Sequence, residues 1–408
     1  MNFLQNYKEY NIRLLFCFLV IILLGFIAPL ASNGIVIILS LLSLSIFSTH
    51  NIKQIKSHTP KLLFLIISLL FLWSFISNIW SPEQEYWTSV KTFLIIYLGL
   101  FLAINIFNLI DKNKKLLLYS LIIALAIMSI IFVFESISNG MIIKNLIDIN
   151  NSEVLEKIAR GTVVLSILAT PISIFIFSKN KKIGLLCYSI FFISVLALPM
   201  TAALIGIMLG LVFSILTLLF ANKFNYTFFV LISTYIISAP FISSEILTIS
   251  NLRESNIHLN SPHEHRIGIW EYSSKAVIAN LPLGLGFDSS RYLGSKNDKI
   301  ELMRKDESYA PDALPLHPHN AVIQIWLELG IIGIFLLLAL FFELIKKVNQ
   351  INCKYEKAIF MSLFGSVIPP LILNFGIWQA WWLSTILLCA ALSLTIKINK
   401  LQFTEKEA

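Results

Sequence analysis

The chain has 408 residues, of which 57% are hydrophobic and only 13% charged, whereas soluble domains carry roughly 25% charged residues. This composition excludes a water-soluble globular protein. The formal net charge of +8 does not indicate a nucleic-acid-binding protein, because the basic residues lie in short clusters between apolar runs rather than on one soluble face. The four cysteines include no CxxC pair, so neither a zinc site nor a disulfide framework is indicated.

Apolar runs follow one another along most of the chain, each close to the roughly 20 residues that a helix needs to cross a bilayer. The twelve runs lie at residues 13–31, 34–50, 61–80, 91–110, 115–137, 160–178, 182–199, 201–221, 224–243, 321–345, 357–375 and 377–396. In lipid, every backbone polar group must be satisfied within its own segment, so these runs predict helices. The predicted fold is an all-α polytopic membrane protein with about 12 transmembrane helices. We expect the first run to be retained, because it is long and lacks a convincing cleavage site.

Lysine and arginine collect in alternate loops, which sets the predicted orientation. The basic positions are Lys8, Arg13, Lys53, Lys56, Lys61, Lys112, Lys114, Lys115, Lys179, Lys181, Lys182, Lys223, Lys346, Lys347, Lys354, Lys357, Lys397, Lys400 and Lys406. The opposite short loops are sparse in basic residues. Both termini are therefore predicted to be cytoplasmic, and residues 138–159 and 244–320 to face the periplasm from the inner membrane.

The chain is thereby divided into helices 1–9 (residues 1–243), a large periplasmic loop (244–320), and helices 10–12 with a cytoplasmic C-terminus (321–408). Within the loop, residues 264–280 carry Ile267, Trp270, Val277 and Ile278 on one side and polar residues on another, which predicts a helix lying at the membrane interface. Proline and glycine at residues 282–286 then end this helix.

His317-Pro318-His319-Asn320 stands where the loop meets the tenth helix. A histidine at a helix start is more often a capping or packing residue than a catalyst, yet an imidazole can be a neutral base at working pH. We expect the helix start to disfavour the imidazolium of His319, and the Asn320 side chain to cap the helix.

Three further residues lie deeper in the same helix. Gly330 and Gly333 suggest a close-packing surface for a neighbouring helix, a structural role. Glu328 is nine residues beyond His319, roughly 13 Å along the helix. We expect it to be protonated, paired or facing a cavity, with a structural or lining role.

The pattern His-Asn, nine residues, Gly-x-x-Gly at the outer end of a late transmembrane helix resembles the signature of the O-antigen ligase and polymerase superfamily. Arg266 and Trp270 are similar to its Arg-x-x-x-Trp helix, and residues 282–286 to its Pro-x-Gly-x-Gly turn. Residues 159–165 resemble its Arg-Gly stretch, and residues 378–382 its tryptophan-rich last helix. The first five spans are similar in hydropathy alone. A Ser-Arg pair that many members carry at the eighth span is absent from residues 200–203, so no pyrophosphate contact is expected there.

The resemblance implies a GT-C-like glycosyltransferase of lipopolysaccharide biosynthesis that moves a glycan from undecaprenyl pyrophosphate to the lipid A core oligosaccharide. It implies inversion, no metal and no cofactor, with substrates and membrane lipids as partners and no nucleic acid. His319 would be the base, and Arg160 and Arg266 catalytic residues that bind the pyrophosphate, since the guanidinium fork fits its oxygens. Arg291 is a third candidate contact. His263, His265 and His317 do not complete a zinc signature with His319.

Other functions fit the same pattern. An O-antigen polymerase has the same motif but uses a second lipid-linked glycan as acceptor, and a protein O-glycosylating transferase is a third member of the group. A transporter of lipid-linked sugar belongs to a different class. Transporters place ionisable residues near the bilayer midplane, whereas the predicted spans here hold few beyond Glu135, Glu328 and Glu343, which favours an enzyme.

Overall fold

A computed structural model of the protein describes residues 2–45, 61–147, 151–257, 259–295, 298–304 and 307–396. The predicted cytoplasmic positions Lys53, Lys56, Lys397, Lys400 and Lys406 lie outside the described residues. Within those ranges the regular structure is helical apart from one short two-stranded antiparallel hairpin. An all-α class therefore describes the membrane part of the chain, and the hairpin belongs to the large loop.

The helices are α1 (Asn2–Leu30), α2 (Ile35–Ser45), α3 (Lys61–Ser77), α4 (Tyr86–Ile137), α5 (Met141–Leu146), α6 (Asn151–Ala159), α7 (Thr162–Lys179), α8 (Lys181–Leu196), α9 (Thr201–Phe220), α10 (Asn222–Glu245), α11 (Ile249–Glu254), α12 (Ser261–Ala279), α13 (Ser290–Ser295), α14 (Ala321–Asn349), α15 (Lys354–Leu373) and α16 (Ala380–Ser393). A 3₁₀ turn (Ser32–Gly34) joins α1 to α2. The hairpin consists of β1 (Leu302–Arg304) and β2 (Glu307–Tyr309).

Eight segments in the described part of the chain are long and apolar enough to cross a membrane. They are Ile12–Leu30, Tyr86–Ile106, Lys115–Ile137, Val154–Lys179, Thr201–Phe220, Asn222–Glu245, Ala321–Asn349 and Lys354–Leu373. Shorter apolar helices lie at Ser32–Ser45, Lys61–Ser77 and Ala380–Ser393, and α8 has 16 residues. Each of the twelve predicted runs thus falls on a helix, and eight of these helical segments reach full spanning length.

The fourth and fifth predicted runs share one helix assignment. Helical structure continues from Tyr86 to Ile137, through residues 111–114, where a loop was expected. These four residues are charged or polar but include neither proline nor glycine, so they need not break helical structure. Tyr86–Ile106 and Lys115–Ile137 are nevertheless two separate spanning segments, as predicted.

The core surrounds α7. Its residues from Thr162 to Ile174 are all buried, which is the pattern of a helix enclosed by others. Helix α9 packs closely along α15. Only glycine fits at residue 206 without a shift, since an added Cβ there would lie 2.7 Å from the carbonyl oxygen of Ser366. Outward-facing Leu15, Leu185 and Phe335 remain more than half exposed. Buried small residues inside and large apolar residues outside are the arrangement expected in lipid.

The large loop folds onto the end of the bundle where α14 begins. A helix is present where the interfacial helix was predicted, α12, Ser261–Ala279, and it ends before the predicted turn. Its apolar side chains face protein: Ile267 packs with Ile249 of α11 and Leu302 of β1, and Val277 joins the apolar cluster of α14. Ile278 is exposed. Helix α12 packs on α10 and α14, and this contact places the loop residues over the start of α14.

The orientation gives a labelling prediction. In a variant whose four native cysteines are replaced, cysteine at the exposed Ser255 should react with a membrane-impermeant thiol reagent added to spheroplasts. Cysteine at the exposed Gln350 should react only after the membrane is permeabilised, because the basic loops are retained in the cytoplasm. Reaction of Gln350→Cys in intact cells would reverse the assigned orientation.

Candidate active site

Asn320 starts α14 as predicted. Its Oδ1 accepts hydrogen bonds from the backbone N–H groups of Val322 and Ile323 at 3.0 and 3.3 Å. Its Nδ2 donates to the hydroxyl of Tyr235 on α10 at 2.8 Å. The predicted N-cap is confirmed, and the second bond ties the start of α14 to a neighbouring helix.

His319 has a φ of +53°, in the left-handed region that few residues other than glycine adopt. Its Nδ1 lies 2.6 Å from the main-chain carbonyl oxygen of Asn374, which follows α15. A carbonyl can only accept a hydrogen bond, so Nδ1 carries the proton and the neutral ring has its lone pair on Nε2. Among the described residues, Nε2 has no hydrogen-bond partner. A ring nitrogen held in one tautomer and free to accept is the arrangement of a general base.

Both histidines of the motif are held neutral. Burial is the main cause that lowers the pKa of His319; the hydrogen bond to Asn374 opposes it, and the charges of Arg266 and His265 add to it. Burial, together with His319 and Arg291, lowers the pKa of His317 to about 3. The Nδ1 of His317 accepts a hydrogen bond from the His319 backbone N–H at 3.2 Å. Burial thus has the effect that we had expected from the helix start.

The predicted arginines do not all meet. Arg266 on α12 is half-buried, its charge lowers the pKa of His319, and burial lowers its own pKa. Arg291 on α13 is exposed and forms an ion pair with Asp288 at 3.0 Å. Its charge contributes to lowering the pKa of His317. Arg160 lies exposed between α6 and α7, and no interaction within the described residues links it to the histidines. The structure therefore places Arg266 near His319 and Arg291 near His317, and the role of Arg160 stays a prediction.

The helix that begins at Asn320 is broken at Gly330, which has φ +59° and ψ −155°. The turn at residues 282–286 lies in this break: Leu285 and Gly286 donate their N–H groups to the carbonyls of Leu327 and Glu328 at 2.7 and 2.9 Å. The N–H of Ile331 donates to the carbonyl of Pro282 at 2.9 Å. The loop thereby supplies partners for three backbone groups at the break, and the indole N–H of Trp73 donates to a fourth, the Leu329 carbonyl, at 2.9 Å, as an apolar environment requires.

The packing partner that was expected for Gly330 and Gly333, a neighbouring helix, is wrong. An added Cβ at Gly330 would lie 2.2 Å from the carbonyl oxygen of Pro282, so the surface it faces is the loop turn and not a neighbouring helix. At Gly333 the nearest atoms belong to Leu329 and Ile325 of the same helix. Close approach of backbones was predicted correctly for Gly330, but its partner comes from a region that hydropathy assigned outside the membrane.

Glu328 is fully buried and accepts four hydrogen bonds. The donors are the backbone N–H of Asp288 at 3.0 Å, the hydroxyl of Ser290 at 2.5 Å, Nε2 of Gln324 at 3.0 Å and the indole N–H of Trp378 at 2.5 Å. Of the roles expected for this carboxylate, the structure supports pairing with protein donors. It joins α14, the loop and the segment after α15.

Trp270, the other motif residue of α12, is half-buried and packs beside the apolar cluster of α14. Its indole N–H is buried without a partner among the described residues. Its contacts are those of a packing residue.

Residues 374–379, between α15 and α16, were predicted as parts of two transmembrane helices but form a non-helical link. Besides the Asn374 carbonyl, the link brings Gln379 to 3.1 Å from Nε2 of His317. It also brings the ring of Trp378 to 4.9 Å from that of Phe287. These site residues were missed, because the resemblance pointed to the tryptophans of this region without a role for any of them.

A polar cavity of about 260 Å³ opens beside the link, lined by Glu85, Thr88, Lys91, Asp288, Arg291, Trp378, Gln379 and Ala380. Gln379 touches both the cavity and His317. Lys91 is a further cation at the outer end of a predicted span, a position where basic residues are otherwise scarce. The cavity thus places two cations, two carboxylates and neutral hydrogen-bonding groups next to the histidine pair, with Arg291 paired to Asp288.

Across the described ranges, no three histidine, cysteine, aspartate or glutamate side chains form a group that could hold a metal ion. The prediction that the protein acts without a metal is not tested by this observation.

Residues 154–338, from α6 to the middle of α14, match the family model described as O-antigen ligase. A Rickettsia conorii protein provisionally assigned as a polysaccharide ligase is 30% identical over 343 residues, which cover 82% of this chain and 80% of that protein. A Rickettsia felis protein with the same assignment is 30% identical over 324 residues, or 78% of this chain and 76% of its own. A Rickettsia typhi protein is 29% identical over 338 residues, 81% and 80% of the two chains. No solved structure matches the chain significantly.

The break in α14 gives a stability prediction. Alanine at Gly330 would have to adopt a backbone conformation open almost only to glycine, and its Cβ would clash with the Pro282 carbonyl oxygen. Gly330→Ala should therefore lower the free energy of unfolding by at least about 1–3 kcal/mol. The measurement is the thermal unfolding midpoint of the purified protein. Gly34→Ala is the control, because the nearest atoms there belong to the flexible side chain of Ile27. An unchanged midpoint for Gly330→Ala would contradict the described break.

Proposed function

The chain belongs to the O-antigen ligase superfamily, whose members assemble glycans in membranes, and from that premise we propose a specific reaction. The protein transfers O-antigen or a related glycan from undecaprenyl pyrophosphate to a hydroxyl of the lipid A core oligosaccharide. It does so at the periplasmic face of the bacterial inner membrane. The observation that carries this proposal is the single tautomer of His319, with Nε2 free to accept a proton.

The proposed reaction is one displacement at the anomeric carbon. The acceptor hydroxyl oxygen forms the new glycosidic bond, its proton passes to Nε2 of His319, and the bond from the anomeric carbon to the pyrophosphate oxygen breaks. Undecaprenyl pyrophosphate leaves with the bonding electron pair. A single displacement inverts the anomeric configuration, so we propose an inverting, metal-independent enzyme without a cofactor.

The departing pyrophosphate needs positive charge. Arg266 supports this role because it acts electrostatically on His319 from α12, and Arg291 and Lys91 line the cavity on the other side of Gln379. Charge on the leaving group grows in the transition state, so fixed cations accelerate its departure. We retain Arg160 as a proposed contact from the outer end of α7, where the membrane-embedded donor would approach.

The proposed topology completes this assignment. We propose that the three shorter apolar helices and α8 cross the membrane together with the eight longer segments, which gives twelve spans and a GT-C-like architecture with both termini in the cytoplasm. A short helix can cross because snorkelling flanking residues or local thinning of the bilayer relieves the mismatch.

Deleting the gene tests the acceptor. The lipopolysaccharide of the mutant should migrate as bare core on a gel, while the glycan accumulates on undecaprenyl pyrophosphate, and the wild-type gene should restore the full pattern. Core capped by a single repeat would instead identify a polymerase. Unchanged lipopolysaccharide with loss of a glycoprotein would identify a protein-modifying transferase.

Kinetics of variants test the residue roles. His319→Ala should lower kcat about 100- to 10,000-fold with donor affinity retained, because it removes the base alone. Arg266→Ala should weaken donor affinity and also lower kcat. Arg266→Lys should restore only part of the affinity and rate, since lysine supplies charge without the planar guanidinium fork.

Two further measurements concern the wild-type enzyme, which should remain active in EDTA. The pKa of His319 is lowered, so its neutral form persists to lower pH, and kcat should fall only below the ordinary value of about 6.5. Near-normal transfer by His319→Ala would reduce this histidine to a structural residue.

A further inference from the structure

The face of α14 that points into the site carries a polar ladder, defined as Asn320, Gln324 and Glu328. Spaced four residues apart, these side chains lie above one another on one side of a helix. They are 2%, 3% and 0% exposed. Three polar side chains in succession are costly to bury inside a membrane protein unless each is hydrogen-bonded, so their partners define their role.

The partners of the two deeper residues lie in the link at residues 374–379. Oε1 of Gln324 accepts the backbone N–H of Ile377 at 2.9 Å, while its Nε2 donates to Glu328 at 3.0 Å. Oε2 of Glu328 accepts the indole N–H of Trp378 at 2.5 Å. The ladder therefore holds the middle of the link at two adjacent residues.

The two ends of the same link touch the histidines. At one end the Asn374 carbonyl accepts from Nδ1 of His319, and at the other Gln379 contacts Nε2 of His317. The first residues of the link are also held by α15, because the N–H groups of Asn374 and Phe375 donate to the Pro370 carbonyl at 3.2 and 3.1 Å. Ile377 and Trp378, in the middle, are held by the ladder. A shift of this middle part would pull on the peptide that carries the Asn374 carbonyl, which sets the tautomer and direction of the His319 ring.

We propose that Gln324 and Glu328 are positioning residues for His319, which hold the link so that the Asn374 carbonyl keeps Nε2 directed at the acceptor hydroxyl. Neither residue contacts the substrates. The inference rests on the proposed transferase function. It assigns a purpose to a buried carboxylate that the transfer chemistry does not use.

The environment of His319 supplies a readout that separates positioning from stability. The charged and titratable groups around it are His317 in the same segment and Arg266 and His265 from α12, with Arg291 beyond His317. Of these groups, only His317 contacts the link, through Gln379; Arg266, His265 and Arg291 lie on α12 and α13. The hydrogen bond to Asn374 raises the pKa of His319, so its loss should move the acid limb of the kcat profile to lower pH.

The test compares one substitution at two positions, Trp378→Phe and Trp382→Phe. The indole N–H of Trp378 bonds to Glu328, whereas the buried indole N–H of Trp382 has no partner among the described residues. Phenylalanine removes the N–H and part of the ring at either site, so Trp382→Phe controls for the lost ring volume. Trp378→Phe should lower kcat about 10- to 100-fold, as expected for a base displaced by less than an ångström. The KM for the lipid-linked donor is compared in Glu328→Gln, where it should be unchanged, because Glu328 does not line the cavity and Trp378 does.

Trp378→Phe should also shift the acid limb of kcat to lower pH, while the profile of Trp382→Phe coincides with wild type. Glu328→Gln should act like Trp378→Phe, and the two changes together should be less than additive, because they break the same contact. Thermal unfolding midpoints accompany every assay. An acid limb that is unmoved or raised in Trp378→Phe, or effects that simply add, would overturn the positioning role.

The outcome is distinct from failure of the proposed function. If the protein is not a transferase, wild type itself will not join the lipid-linked glycan to the core acceptor. If it is a transferase but the ladder is only structural, wild type will be active, and Trp378→Phe and Glu328→Gln will lower the unfolding midpoint without moving the pH profile.

Discussion

The site depends on how the backbone is satisfied where α14 breaks. In the apolar part of a membrane protein, an unpaired N–H or carbonyl costs several kcal/mol. The break at Gly330 exposes such groups, and the loop turn at residues 282–286 and the indole N–H of Trp73 supply their partners. The loop is thus held by main-chain bonds inside the bundle and not merely laid over it. This anchoring fixes α13 and the end of α12 relative to the start of α14, where the histidines lie.

Two further constraints act at the same place. Burial keeps His317 and His319 neutral, while the carbonyl of Asn374 gives His319 one tautomer. The arginines act in the same sense on the histidine pKa values, because each half-buried or exposed guanidinium stays charged beside these neutral rings. The neutral rings and the cations differ in their exposure to solvent. The rings are buried in protein, whereas the Arg291 side chain lies largely in water.

The sequence allowed the membrane character, the helical class and the cap at the start of α14 to be predicted, because each rests on local information. Twenty-residue apolar runs, alternating basic loops and the cap at Asn320 are read from neighbouring residues. The Asn374 carbonyl lies 55 residues from His319 in the chain, and no property of residue 374 announces that contact. Gly330 was recognised as a site of close approach, yet its partner could not be named, since hydropathy places residues 282–286 outside the membrane. The two spans within α4 were predicted, but the helical structure between them was not, because polarity and helix breaking are separate properties.

The acceptor that orients His319 is a main-chain oxygen, and every amino acid supplies one. Residue 374 can therefore vary freely among related proteins without losing the interaction, provided that the link keeps its path. Alanine at residue 374 alone would retain this oxygen and detect no contribution from it. Half of the hydrogen-bonded pair at His319 is consequently encoded by the path of the chain, while the identity of a side chain encodes only the other half.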